Sequence, residues 1–223
     1  MPRRTVPLVS GEHYHVYNRG HSGQKIFLKG ENYLFFPRRV REYLVGENQT
    51  PQACEALKAS GVHTRLPKLQ KTSEVGSGLE VGCAVVAYCL MPNHFHLLVR
   101  PRDDRFSRGM QRFSISYAKA MNKRMGRSGA LFQGAFEAVR VDRDEYSLHL
   151  SRYIHLNPVE AGLVRRPEDW EFSSYRDYVG LRQGTLPVPG IILSQFSSPG
   201  AYREFVEADG LGDVEIIEHL LLD

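Results

Sequence analysis

The stretch AYCLMPNHFHLLVR, Ala87 to Arg100, sets two imidazoles, His94 and His96, two residues apart in an otherwise apolar run. Such a run reads as a buried strand. Side chains alternate along a strand, so both imidazoles leave one face roughly 6.5–7 Å apart along the backbone. That spacing lets both rings reach a single divalent ion while Phe95 turns into the opposite core. The apolar neighbours stiffen the strand and preorganise the pair. The motif alone proves little, because a second H-x-H stands at His13 and His15.

A third ligand and a nucleophile are offered by YSLHLSRYIHLNP, a helical stretch in which His149, Tyr153 and Asn157 fall at i, i+4 and i+8 and share a face. A metal there would act as a Lewis acid on a phosphate oxygen while the tyrosine attacks phosphorus. A phenol titrates near about 10, so its surroundings must lower that value or take its proton during attack. The competing reading is structural: Tyr153 rests its ring on the sheet, and Asn157 caps the helix before Pro158.

The elements that would position these groups follow from pattern. EHYHVYNRG reads as a first strand closed by Gly20, and ENYLFFPRRVREYLV as a helix with Asn32 as its cap and Pro37 forcing a later start or a kink. CAVVAYCLM and HFHLLVRP read as strands joined at Pro92-Asn93. Phe106, Met110, Phe113, Tyr117 and Met121 form one stripe of a helix over Arg105 to Arg124. FEAVRVDR is a further strand, and DEYSLHLSRYIHLNP a helix stopping at Pro158. This order predicts an α+β, ferredoxin-like sandwich, a mainly antiparallel sheet with helices on one face. A catalytic domain over 1–179 carries a polar insertion at about 46–82, and a small helical C-terminal extension spans 180–223, with helical stretches at Tyr202–Ala208 and Asp213–Leu221. The 223 residues suit one such domain with a lobe, and the net charge of +4 mildly favours an anionic partner. Cys54, Cys83 and Cys89 form no C-x-x-C pair. With no signal-peptide core and no apolar run of membrane-spanning length, a soluble, reduced, cytoplasmic protein is expected.

Four blocks in order, YCLMPNHFHLLV, GRSGALFQGAF, SRYIHLNPVEAGLV and DWEFSSY, resemble the HUH tyrosine transposases, and within them the REP-associated and single-strand insertion-sequence branch. The resemblance implies His94, His96 and Asn157 as ligands of Mg²⁺ or Mn²⁺ and Tyr153 as the nucleophile. It implies attack on single-stranded DNA at hairpin-forming repeat or insertion-element ends, leaving a 5′-phosphotyrosine link and a free 3′-hydroxyl. That link stores the bond energy for rejoining, in keeping with a chain that has no GK[ST] phosphate loop. A ligand set of two imidazoles and an amide is softer than Mg²⁺ prefers, which favours Mn²⁺.

Lys123, Arg124, Arg127, Phe132 and Gln133, in and around the Gly-rich turn, are candidate DNA contacts, basic groups for phosphates and an aromatic ring for stacking. Arg19 and Arg140 join them, and His15 and His149 are candidates for the neighbourhood of the site. Where relatives commonly read G-R-F-K, this chain has Gly134-Ala135-Phe136-Glu137, which weakens or redirects phosphate contacts. The extended C-terminus resembles that of the longer REP-associated type, and the resemblance implies a monomer rather than a homodimer. Two rival readings share the motif: a replication-initiator nickase, and a domesticated hairpin-DNA-binding protein without turnover.

Overall fold

The computed structural model describes residues 8–45, 82–208 and 216–221. The expected polar insertion lies outside these apart from Gly82, and the last helical stretch lies partly outside. Segments rich in valine, leucine and aromatic residues form the sheet: β1 (His13–Arg19), β2 (Cys83–Met91), β3 (His94–Pro101) and β4 (Glu137–Val141). The strand order is β2-β3-β1-β4 and every neighbouring pair is antiparallel. Register places Arg19 opposite His94, Tyr17 opposite His96 and His15 opposite Leu98. Residues facing each other across a ladder share a face, so Arg19, Tyr17, His15, His94 and His96 all stand on one side.

The other side is covered by α1 (Gly30–Val40) and α2 (Phe106–Met125). The stripe Phe106, Met110, Phe113, Tyr117 and Met121 is buried there against Val16, Phe95, Leu97 and Val99. Each fully buried Phe or Met in that stripe contributes about 1.5–3 kcal/mol by leaving water. Tyr117 takes its hydroxyl into the core and donates to the Ile26 carbonyl at 3.1 Å. Two details of α1 differ from the sequence reading. Asn32 is not the cap but sits inside the first turn, where its carbonyl oxygen reaches back to the backbone N–H of Leu28 and Lys29. Pro37 lies within the helix and does not delay its start, which falls at Gly30.

Helices were expected on one face, and the histidine face is covered as well. There lie α3 (Asp144–Glu160), α4 (Tyr175–Tyr178), α5 (Gly190–Leu193) and α6 (Pro199–Glu207). Leu150 and Ile154 of α3 join Tyr175, Tyr178, Ile192, Tyr202, Val206 and Leu220 in a second core against Val86, Cys89 and Leu98. α3 does not stop at Pro158 but runs to Glu160. A proline ring tolerates helical φ and forfeits one hydrogen bond. The end is set instead by Gly162, whose φ of +66° belongs to the left-handed region. β2 is buried along its full length although it is the last strand of the sheet. Its outer edge is closed by the DWEFSS segment, through Leu90 N–H to Phe172 O (3.0 Å) and Ser174 N–H to Tyr88 O (2.9 Å).

Candidate active site

Met91 and His94 face each other across the two-residue turn Pro92-Asn93. That turn is pinned to β1 and the segment after it, because the Asn93 carbonyl accepts from Gly20 N–H (2.7 Å) and the Pro92 carbonyl from Ile26 and Phe27 (2.8 and 3.1 Å). Gly20 is required at this junction, since a Cβ there would lie 2.0 Å from the Gln24 carbonyl oxygen. The tight turn thus delivers the two imidazoles at a fixed height beside the end of β1. Their rings stand edge to face with centroids 4.9 Å apart.

Hydrogen-bond direction fixes which nitrogens they offer. The Leu220 carbonyl can only accept, so His15 Nδ1 donates to it at 2.5 Å. Burial holds the His15 imidazole far below its ordinary range, to about 4, so the ring is neutral and its Nε2 carries the lone pair. His96 Nδ1 then donates to His15 Nε2 at 2.9 Å, leaving His96 Nε2 bare. That atom is fully buried and has no hydrogen-bond partner. On the neighbouring ring, His94 Nδ1 donates to the Asn93 side-chain oxygen at 2.8 Å, which leaves the lone pair on His94 Nε2. Burial lowers the basicity of both rings. For His96 the neighbouring imidazoles His15 and His94 add to the effect. For His94 the hydrogen bond with Asn157 opposes it and the Arg19 charge assists it.

α3 brings the remaining groups. Tyr153 stands edge-on to His96 with centroids 5.6 Å apart, and to His15 at 6.4 Å. The Asn157 side chain is buried one turn after Tyr153, where its Nδ2 donates to the Tyr153 backbone carbonyl at 3.3 Å and its amide lies close enough to His94 and to the Tyr153 phenol to shift both. Burial raises the Tyr153 phenol above its ordinary value, the Asn157 amide pulls it down, and Glu160 pushes it up. Among the described residues no three His, Cys, Asp or Glu side chains converge to hold a cation. A divalent ion at the pair would therefore draw on the Asn157 amide oxygen, with further ligands from water or substrate. The site fits such an ion: a buried imidazole nitrogen without a partner costs on the order of 1–3 kcal/mol, and a cation removes that cost.

The other expected residues fall differently. Arg19 and Gln133 meet side chain to side chain next to His94, and the Gln133 N–H bonds the Arg19 carbonyl at 2.9 Å. Arg127 braces the Gly-rich turn through Asn122, Gln24 and Ala130. Lys123 is exposed at the end of α2, and Arg124 is paired with Glu31. Phe132 is no stacking platform: it is buried, with Phe95 and Tyr117 against its ring, and anchors the turn. Arg140 leaves β4 on the side away from the histidines, opposite Tyr14, and pairs with Glu12 at 3.0 Å. His149 meets Phe205 of α6 instead of the phenol. Sequence reasoning missed Asn93 as a histidine partner, although its adjacency to His94 was a signal. It also missed Leu220, whose part is a backbone carbonyl and leaves no trace in residue type.

Fold and site together are those of a sheet-mounted histidine pair facing a helical tyrosine. The model of the IS200-like transposase family matches residues 71–157, which include His94, His96, Tyr153 and Asn157. A Haemophilus influenzae protein named as a candidate REP-associated tyrosine transposase is 29% identical over an alignment covering 40% of this chain and 57% of that protein. The chain thus spans little more than half of that relative's length. A solved structure of a REP-associated tyrosine transposase bound to a REP hairpin superposes with a TM-score of 0.54 over 84% of this chain and 97% of the other, at 15% identity. That is a likeness of fold. The chain resembles the REP-associated tyrosine transposases in both sequence and architecture. No helix among the described residues is long and apolar enough to cross a membrane.

Proposed function

We propose that this protein is a metal-dependent endonuclease and strand transferase of single-stranded DNA, acting at hairpin-forming repeat or insertion-element ends. The observation that carries the reading is the convergence of Tyr153, Asn157 and the bare Nε2 of His96 at one point of the sheet surface. Tyr153 Oη attacks the phosphorus, forming an O–P bond as the P–O3′ bond breaks. The strand end leaves as a 3′-hydroxyl carrying a proton, and the 5′-phosphate stays on the tyrosine. The Asn157 amide, which favours the phenolate, stabilises the attacking oxygen as its proton departs. His94, His96 and Asn157 would hold Mg²⁺ or Mn²⁺, which supplies Lewis-acid charge on the scissile phosphate. Arg19 and Gln133, paired beside His94, would meet the phosphates of an entering strand, with exposed Lys123 adding positive charge at the end of α2. α3 is tied within its own chain by Arg152 and His155, which supports action as a monomer.

The test is covalent capture. Wild type and Tyr153→Phe are incubated with labelled single-stranded hairpins from the flanks of the gene, with Mn²⁺ or with EDTA. A protease-sensitive, slow-migrating adduct is expected only with wild type and metal, and His96→Ala should abolish it. Binding across several hairpins and both ions without any adduct would instead identify a hairpin-binding protein without turnover.

A further inference from the structure

The C-terminal segment reaches the site through one atom. Leu220 ends a short 3-10 turn, Glu218–Leu220, and its side chain is fully buried in the core of the histidine face together with Ile217. His219 adds an edge contact to Tyr146 of α3, centroids 5.2 Å apart. These anchors hold the Leu220 carbonyl against His15 Nδ1, and His15 in turn stacks on His96, centroids 5.1 Å apart and planes 18° from parallel. The chain of donors runs one way: His96 Nδ1 to His15 Nε2, and His15 Nδ1 to a carbonyl that cannot donate back. Without that terminal acceptor either His96 tautomer would satisfy the His15–His96 contact. One of the two places the hydrogen on Nε2, the buried atom left without a partner, and so blocks it as a ligand.

We propose that His15 and the Leu220 carbonyl form a positioning relay that fixes His96 in the tautomer offering Nε2 to a divalent cation. The docked C-terminal segment is thereby a working part of the site. This rests on the reading of His96 as a ligand, and His15 is a positioning residue that itself touches neither cation nor DNA. The relay is built into the protein alone, so it is measurable without substrate.

The experiment uses full-length protein labelled with ¹⁵N-histidine. In EDTA, long-range ¹H–¹⁵N correlation reads the His96 tautomer, and a separate titration reads the Mn²⁺ dissociation constant. Wild type is expected to hold His96 as Nδ1–H. His15→Phe, which keeps a buried ring but removes the acceptor, should release His96 into a mixture or the opposite tautomer and weaken Mn²⁺ binding about 10–100-fold. His15→Gln places an amide oxygen near the Nε2 position and should restore both readouts to within about threefold. Leu220→Ser loosens the carbonyl's anchor without touching either imidazole and should shift the tautomer in the same direction. Should His15→Phe fail to fold, Leu220→Ser and His15→Gln decide the matter. A His96 that is not Nδ1–H in wild type, or a tautomer and affinity unmoved in folded His15→Phe, overturns the relay. A wild type that forms no DNA adduct while His15→Phe still moves the tautomer sinks the strand-transfer reading and leaves the relay standing.

Discussion

At the scale of the residue, Asn157 joins two kinds of chemistry, since one buried amide meets both His94 and the Tyr153 phenol. An amide is a neutral oxygen donor, so in the proposed reaction it would hold a cation without adding charge that would oppose phenolate formation. Asn157→Asp separates these demands. A carboxylate is the harder and negatively charged ligand, so Mg²⁺ binding should tighten, as read by calorimetry. The same charge beside the phenol raises the Tyr153 pKa further beyond its already raised value. Less phenolate then exists at a given pH, so adduct formation at pH 7.5 should fall about tenfold and its pH optimum move upward. Tighter Mg²⁺ binding with an unchanged pH profile would show that Asn157 acts on the cation alone. Residue type and spacing bring His94, His96, Tyr153 and Asn157 forward as candidates, because a period of two on a strand and of four on a helix each fix a face. The resemblance is what sets them apart from the second H-x-H at His13 and His15. Type and spacing misjudge Phe132, an aromatic in a Gly-rich turn whose ring is buried against Phe95 and Tyr117. Nothing in the local pattern distinguishes an anchor turned inward from a platform turned outward.

At the scale of the element, the question is what fixes α3, since a tyrosine a fraction of an ångström out of line loses its attack geometry. Arg152 precedes the tyrosine and points the other way. Its guanidinium donates to the Val206 carbonyl at 3.1 Å and to the Ala208 carbonyl, closing the C-terminus of α6. His155, two residues on, donates from Nε2 to Ser174 Oγ at 2.7 Å and receives the Tyr202 hydroxyl at Nδ1, also at 2.7 Å. Ser174 in turn bonds the Tyr88 backbone, so the network runs from α6 through α3 to β2. In sequence, an arginine beside a candidate nucleophile invites a reading as a phosphate contact, but here it caps a helix. Arg152→Met keeps most of the volume and orphans two carbonyls, which should cost about 2–4 kcal/mol in urea unfolding. Amide exchange should speed first in α6 and then in the second half of α3. A variant with wild-type stability would mean the carbonyls are satisfied by water and the clamp is dispensable. The strands, α2 and the core of α6 are legible in the sequence because each carries its own periodicity. The clamp is not, because its partners lie some 50 residues apart in the chain and no repeat connects them.

At the scale of the whole molecule, the sheet divides two cores of unlike character. The core under α1 and α2 is almost purely apolar, whereas the one under α3 contains His15, His96, Ser151, His155 and Ser174, all fully buried. The site therefore shares its layer with polar networks, and acid should attack that layer first. Burial, reinforced by the Arg182 charge, depresses the His155 imidazole to about 3. An unfolded chain holds the same ring at its ordinary value of about 6.5. Between those values the unfolded state binds a proton that the folded state refuses, so stability is full above pH 6.5 and falls as pH drops toward 3. The slope from this one group approaches about 1.4 kcal/mol per pH unit. His15, held to about 4 by burial, contributes with the same sign. Urea unfolding in EDTA at pH 7.5 and 5.0 should therefore show a loss in the wild type that exceeds the loss in His155→Gln by about 1–2 kcal/mol. Glutamine can accept and donate without titrating, so the variant starts lower at pH 7.5 and declines less steeply. Parallel declines in the two proteins would place the acid sensitivity elsewhere, in carboxylates such as Glu168, which its hydrogen bond with Arg203 holds below the ordinary range. A steeper wild-type decline, with near-ultraviolet signals of the tyrosine-rich layer lost ahead of the α2 helix, would locate the acid-labile half of the fold on the side that carries Tyr153.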